Sequence, residues 1–167
     1  IHTQYSICEG AIKIDNLKDF CKENKISCLG LSDTSNLCGA LEFAENISKV
    51  GTQPIIGTQI YFKFEDTTGL LPLIALNEKG YKKIIELSSR SYLENDALSD
   101  PHLDIKDLLS EIEGVLILSG TIQGLFGKLF QKGRLKEITK IYKNLSSMFH
   151  DNFYLEIQRH GDQNEIA

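Results

Sequence analysis

Apolar positions along the chain switch between two periods. Ile14, Leu17, Phe20 and Cys21 recur at helical spacing, and residues 26–32 follow as an extended run. Asn36 is placed to cap a helix whose inner face holds Leu37, Ala40, Leu41, Ala44 and Ile47, with Gly51 ending it. Residues 54–57 and 60–62 read as strand, 65–69 as a turn and 70–76 as another strand. Asn77 starts a third helix with Tyr81, Ile84, Ile85 and Ser88 inward, and residues 94–102 form a polar loop. Asp104 caps a short helix carrying Leu108, Leu109 and Ile112, and residues 115–119 read as a buried strand. A loop over 120–132 leads into a short helix. Leu135, Ile138, Tyr142, Leu145 and Phe149 then make a long amphipathic stripe, and residues 153–158 form the last strand.

This alternation predicts an α/β fold built of parallel βαβ units in one domain, with no internal repeat and no linker. In such folds sites collect in the loops after the carboxyl ends of strands. Four places qualify: residues 2–10, 32–36, 119–124 and 159–162.

Composition removes several function classes. Apolar residues are 41% and charged residues 25%, ordinary for a globular domain. The formal net charge is -5, so no basic surface points to DNA binding by this chain alone. The lysines at 79, 82, 83, 132, 136, 140 and 143, with Arg134, read as solvated helix faces. Apolar runs such as residues 114–118 are too short to span a bilayer, and no signal peptide is visible. The chain begins at Ile1 rather than Met, so its true start is expected outside this segment. Cys8, Cys21, Cys28 and Cys38 form no CxxC pair, which leaves a zinc knuckle and a thioredoxin-type motif unsupported and fits a reducing cytoplasm.

The candidate chemistry is oxygen and nitrogen ligation. His2, with Glu9 seven residues on, offers an imidazole and a carboxylate of the kind that bind zinc or manganese. Asp33 follows the extended run, where a metal-binding or basic carboxylate often sits, and His160 follows the last strand in the same way. Each also has a plain structural reading: an exposed histidine, or an aspartate satisfied by nearby backbone N–H groups. The small-residue turn Ser119, Gly120 and Gly124 could cradle a phosphate on backbone N–H groups, but it lacks P-loop spacing.

Taken in order, the segments resemble one family. His2-Thr3-Gln4-Tyr5-Ser6 with Glu9-Gly10 resembles the opening H-[ST]-x-Y-S-x-x-[DE]-G of the polymerase-and-histidinol-phosphatase (PHP) domain of bacterial DNA polymerase III alpha subunits. Ser32-Asp33 through Asn36-Leu37-Cys38-Gly39 resembles T-D-x-x-N-L-x-G, and Pro54-Ile55-Ile56-Gly57 resembles P-I-x-G. Asn77 through Gly80-Tyr81, the segment 114–120 and the segment 153–157 also fall in the family's order, so the likeness covers nearly the whole chain.

The resemblance implies a distorted (βα)7 barrel, incomplete here, with residues 1–167 forming an N-terminal PHP domain whose first residues and last strands lie outside the chain. It implies a cleft for up to three metal ions in active members, where metal-activated water hydrolyses phosphoesters and in some polymerases proofreads 3′ to 5′. His2, Glu9, Asp33 and His160 fill ligand-like positions. Three positions depart. Thr34 stands where active members carry histidine, Gln59 where they carry glutamate, and Arg159 where an acid is expected. A hydroxyl and an amide are weaker ligands for a dication, and a cation nearby opposes one.

The resemblance therefore implies a degenerate metal site, with room for one residual zinc, manganese or magnesium ion and no catalytic residue in this segment. It further implies a structural and exonuclease-docking role inside a DNA-directed DNA polymerase, whose magnesium-dependent nucleotidyl transfer lies outside the chain. The expected partners are the rest of the alpha chain, a proofreading exonuclease subunit and, through the full protein, DNA, with no membrane. The alternative is an active PHP phosphoesterase or proofreading 3′–5′ exonuclease.

Overall fold

The computed structural model describes residues 1–109, 112–159 and 161. Among these the order is α1 (Ile14–Glu23), β1 (Cys28–Thr34), α2 (Ala40–Ser48), β2 (Gln53–Phe64), β3 (Thr67–Ala75), α3 (Glu78–Leu93), β4 (Leu103–Asp104), β5 (Val115–Leu118), α4 (Leu125–Gln131), α5 (Leu135–Phe149) and β6 (Phe153–Tyr154). Short 3₁₀ turns follow β4 and α5. The strands form one mixed sheet in the order β1-β2-β3-β5-β6, with β4 added beside β2.

The expectation of an all-parallel sheet is corrected. β1 and β2 are parallel, but β2–β3 and β3–β5 are antiparallel. The segments read as strand at 54–57 and 60–62 belong to one twelve-residue strand, and the turn expected over 65–69 tightens to Glu65 and Asp66, with β3 starting at Thr67. Phe64 pairs with Thr67, which leaves a two-residue hairpin loop, and Glu65 takes φ +54 to close it. Neither turn residue is glycine or asparagine, so the usual hairpin signal is missing. Lys132 and Arg134 compensate by reaching the tip acids Asp66 and Glu65 from the α4–α5 connection.

Alternation along the strands sorts the two faces. Leu31, Ile60, Phe62, Leu71, Leu73, Val115 and Ile117 are buried under helices. α1 and α2 cover Leu31 through Ile14, Leu17, Phe43 and Ile47, while the larger core gathers Ile84, Leu87, Leu108, Leu129, Ile141 and Leu145 over β2, β3 and β5. All these strand residues share one period-2 face, so the helices lie on one side and the other side is left to form a cleft.

Several helix faces differ in phase from expectation. Asn36 does not cap α2 directly. Its side chain accepts from Cys38 N at 3.0 Å in a local turn, and the helix starts at Ala40. Packing against the α1 and β1 cluster puts Phe43 inward with Ala40 and Ile47 and leaves Leu41 72% exposed. In α3, Asn77 caps as expected by accepting from Gly80 N, yet Leu87 takes the buried place and Ile85 is partly exposed. In α5 the buried line is Ile141, Leu145 and Phe149, and Tyr142 sits at its margin against Phe153. The last strand pairs only over Phe153 and Tyr154 because β5 ends at Leu118; beyond it, the Ser119 hydroxyl accepts the Glu156 N–H. Asp104 does cap the short turn after β4, with Asp107 closing a capping box.

Candidate functional site

The loop at residues 2–10, β1 and β2 build the site. Ile1 runs beside β1: its N donates to Gly30 O at 2.8 Å and its carbonyl accepts from Ser32 N at 2.9 Å. That places His2 at the mouth of the cleft. The parallel register sets Thr34 beside Gln59, so both face the loop. Gly10 lies so close to Thr3 that an added Cβ would fall 1.9 Å from Thr3 O, so only glycine closes this loop.

Asp33 is fully buried beneath the loop. Its Oδ1 accepts from Thr3 N at 2.6 Å and from the Ser6 hydroxyl at 2.7 Å, and its Oδ2 accepts from the Thr3 hydroxyl at 2.7 Å. The Ser6 hydroxyl in turn accepts from Thr34 N at 3.0 Å. Above this network the remaining candidates are paired. The Thr34 hydroxyl donates to Glu9 Oε2 at 2.5 Å, and Gln59 Nε2 lies 2.9 Å from His2 Nε2. With the amide as donor, that imidazole nitrogen is an acceptor and the ring proton sits on Nδ1. His2 Nδ1 is buried with no hydrogen-bond partner among the described residues.

The cleft holds about 630 Å³. Its floor is apolar, from Ile55, Leu70, Pro72, Ile74 and Leu118, and its rim carries His2, Glu9, Gln59 and Glu156. Burial pushes the Tyr61 phenol above its ordinary value, and the nearby Glu9 charge adds to the shift. Glu156 was not foreseen as part of the site. It has a buried Oε2 without a hydrogen-bond partner among the described residues, as does Ser32 at its hydroxyl. The available signal was its period-2 position in the run 153–158, between exposed Leu155 and Ile157.

The structure places His2, Glu9, Asp33, Thr34 and Gln59 together, His2 against Gln59, Glu9 against Thr34, and Asp33 beneath the loop. Arg159 is exposed and is not among the residues lining the cleft. His160 lies outside the described residues. In the turn at 119–124, the Ser119 hydroxyl is taken by Glu156 N and Gly124 N by Thr121 O, so those groups serve the turn itself. Among the described residues no three His, Cys, Asp or Glu side chains form a group that could hold a metal ion. No helix among them is long and apolar enough to cross a membrane.

A helix-backed mixed sheet with a cleft on its open face defines the class, an α/β domain. The family model described as PHP domain matches residues 1–160, and the chain belongs to that family. Among curated proteins, it is 35% identical over 180 residues to the DNA polymerase III subunit alpha of Caulobacter vibrioides, covering 100% of this chain and 15% of that protein. It is 35% identical over 172 residues to the same subunit of Borreliella burgdorferi, covering 96% and 15%. For Haemophilus influenzae the values are 34% over 169 residues, 98% and 14%. The chain thus spans about 15% of the length of these relatives. Among solved structures, a protein from Bifidobacterium adolescentis assigned as a metal-dependent phosphoesterase shares the fold with a TM-score of 0.58 and 14% identity, covering 98% of this chain and 77% of that one.

Proposed function

We propose that this chain is the N-terminal PHP domain of a bacterial replicative DNA polymerase III alpha subunit, and that it serves there as a structural and docking domain rather than as a phosphoesterase. The observation that carries the second half is the pairing of Glu9 with Thr34 and of His2 with Gln59. Two positions at which active relatives place ligands instead use neutral side chains to hold the remaining ligands. Asp33 has both oxygens committed to Thr3 and Ser6. This donor set does not suit a cluster of several dications, because ligand number and charge set affinity.

The relatives' identity supports the first half of the reading. In it, the one-sided sheet is the open part of a distorted (βα)7 barrel. Nucleotidyl transfer with magnesium belongs to a domain outside residues 1–167. The partners are the rest of the alpha chain, a proofreading exonuclease subunit and, through the whole protein, DNA, all in the cytoplasm. The test uses the whole polypeptide, assayed for template-directed nucleotide incorporation and for hydrolysis of a generic phosphoester with manganese or zinc. Incorporation without hydrolysis is the expected pattern. Hydrolysis abolished by Asp33→Asn contradicts the structural role, and absence of incorporation contradicts the polymerase assignment.

One observation favours a second, narrower reading. His2 Nδ1 and Glu156 Oε2 are both buried on the cleft wall without hydrogen-bond partners among the described residues. A single residual zinc, manganese or magnesium ion bound at this rim fits them when the Gln59 amide is turned so that its oxygen accepts from His2 Nε2–H, which frees the Nδ1 lone pair, and it leaves the proposed lack of multi-metal catalysis intact.

A further inference from the structure

We infer that Ile7, at the tip of the loop over residues 3–10, is an apolar docking knob that seats in an aliphatic pocket on another part of the same polypeptide. This rests on the reading of the chain as one domain of a much longer polymerase subunit. Ile7 is 83% exposed, yet the backbone on both sides of it is held.

On one side stands Ser6, fully buried. Its hydroxyl donates to Asp33 and accepts from Thr34 N, and its carbonyl accepts from Glu9 N at 3.0 Å and Gly10 N at 2.8 Å. Before it, the Tyr5 carbonyl accepts from Asn36 Nδ2 at 2.8 Å and the Tyr5 hydroxyl donates to Glu42 Oε2 at 2.7 Å. On the other side Cys8 sits at φ +67, a conformation that non-glycine residues hold only when their surroundings impose it. Glu9 then closes the loop onto Thr34.

Single exposed apolar side chains are ordinary on a protein surface. Ile7 differs in that the loop's hydrogen bonds and a strained residue hold it outward. Its backbone is ordered before any contact forms, so seating it costs only side-chain freedom. Of the exposed loop neighbours, Gln4 and Cys8 are uncharged and the Glu9 carboxylate is held by the Thr34 hydroxyl, which suits an aliphatic pocket with a polar rim. The matched segment is 15% of the relatives' length, so the remainder of such a polypeptide is by far the largest body available to supply the pocket.

Cys8 reports on this contact directly. It adjoins Ile7 and is exposed, and Cys28, also exposed, lies at the far end of β1 as an internal control. The whole polypeptide, purified without other subunits, is alkylated with N-ethylmaleimide and the two cysteines are followed by peptide mass spectrometry. Cys8 should react about tenfold or more slowly than Cys28, since access governs thiol modification. Ile7→Ser should restore the Cys8 rate and leave Cys28 unchanged. Equal rates in the unaltered protein overturn the inference, as does a slow Cys8 that Ile7→Ser leaves slow. Protection that appears only when a separate subunit is added also overturns it. None of these readouts depends on metal content or turnover, so failure here is separable from failure of the proposed function.

Discussion

The Thr34 hydroxyl donates to Glu9 Oε2 at 2.5 Å, which ties the end of β1 to the far side of the loop over residues 3–10. A neutral donor thus holds a carboxylate at a place where active PHP domains, by their motif, would set a second metal ligand. Removing the hydroxyl with Thr34→Val should lower stability by about 0.5–1.5 kcal/mol, the usual net worth of one such bond. Urea unfolding measures it, and the loss should be the same with and without a chelator.

Asp33 lies under this pair and accepts three hydrogen bonds from Thr3 and Ser6. Asp33→Ala strands these donors in a buried place. It should cost about 3–5 kcal/mol, as expected when one partner of a buried charged network is removed. Thermal unfolding in chelator gives the value. A loss below about 1 kcal/mol, within the range of ordinary surface changes, would show that the carboxylate is held for another purpose.

Restoring donors should restore affinity. With Thr34→His and Gln59→Glu together, two imidazoles and two carboxylates would stand in place of the two hydrogen-bonded pairs, with Glu156 a third carboxylate on the rim. Zinc binding measured calorimetrically should strengthen by about tenfold or more over the parent, in line with the effect of added nitrogen and charged oxygen ligands. Unchanged binding would mean that the geometry, and not these two residues, limits the site.

Acid should loosen the surface ion pairs of Glu94, Glu113 and Asp66. The Arg90 guanidinium holds the Glu94 carboxyl below its ordinary value, and Lys79 does the same for Glu113. The Thr67 hydroxyl, followed by Lys132 and Arg134, lowers Asp66. A carboxyl that binds its proton less tightly in the folded state adds stability that is complete above the unfolded value. That stability is lost as the pH falls through the folded value. Melting temperature should therefore hold from neutral pH down to the ordinary carboxylate range and fall below it. Glu94→Gln should flatten part of that fall. These groups are exposed, so the effect should shrink in high salt.

Much of this arrangement was legible in the sequence because it depends on local order. Asn77 and Asp104 cap where their side chains predicted, and the residues from His2 to Gln59 meet because Asp33 and Thr34 end β1, Gln59 pairs with Thr34 on β2, and the loop over residues 2–10 folds onto them. What was not legible depended on tertiary contacts. The turn within 65–69 was legible but its two-residue loop was not, since the tip at Glu65 and Asp66 carries no glycine and is held by Lys132 and Arg134, well over sixty residues away. Leu41 was read as inward, but the packing of α2 buries Phe43 with Ala40 and Ile47 instead. Glu156 joined the cleft through a strand that stops early, when β5 runs out and Ser119 takes over its hydrogen bond.

Metal stoichiometry tests the central claim most directly. The whole polypeptide is purified in buffers supplemented with zinc and manganese, desalted, and measured by inductively coupled plasma mass spectrometry alongside its melting temperature in chelator. The account predicts at most one ion at the PHP cleft and a melting temperature that the chelator leaves unchanged. Two or more tightly held ions that Asp33→Asn releases, with a melting temperature lowered by chelation, would contradict it.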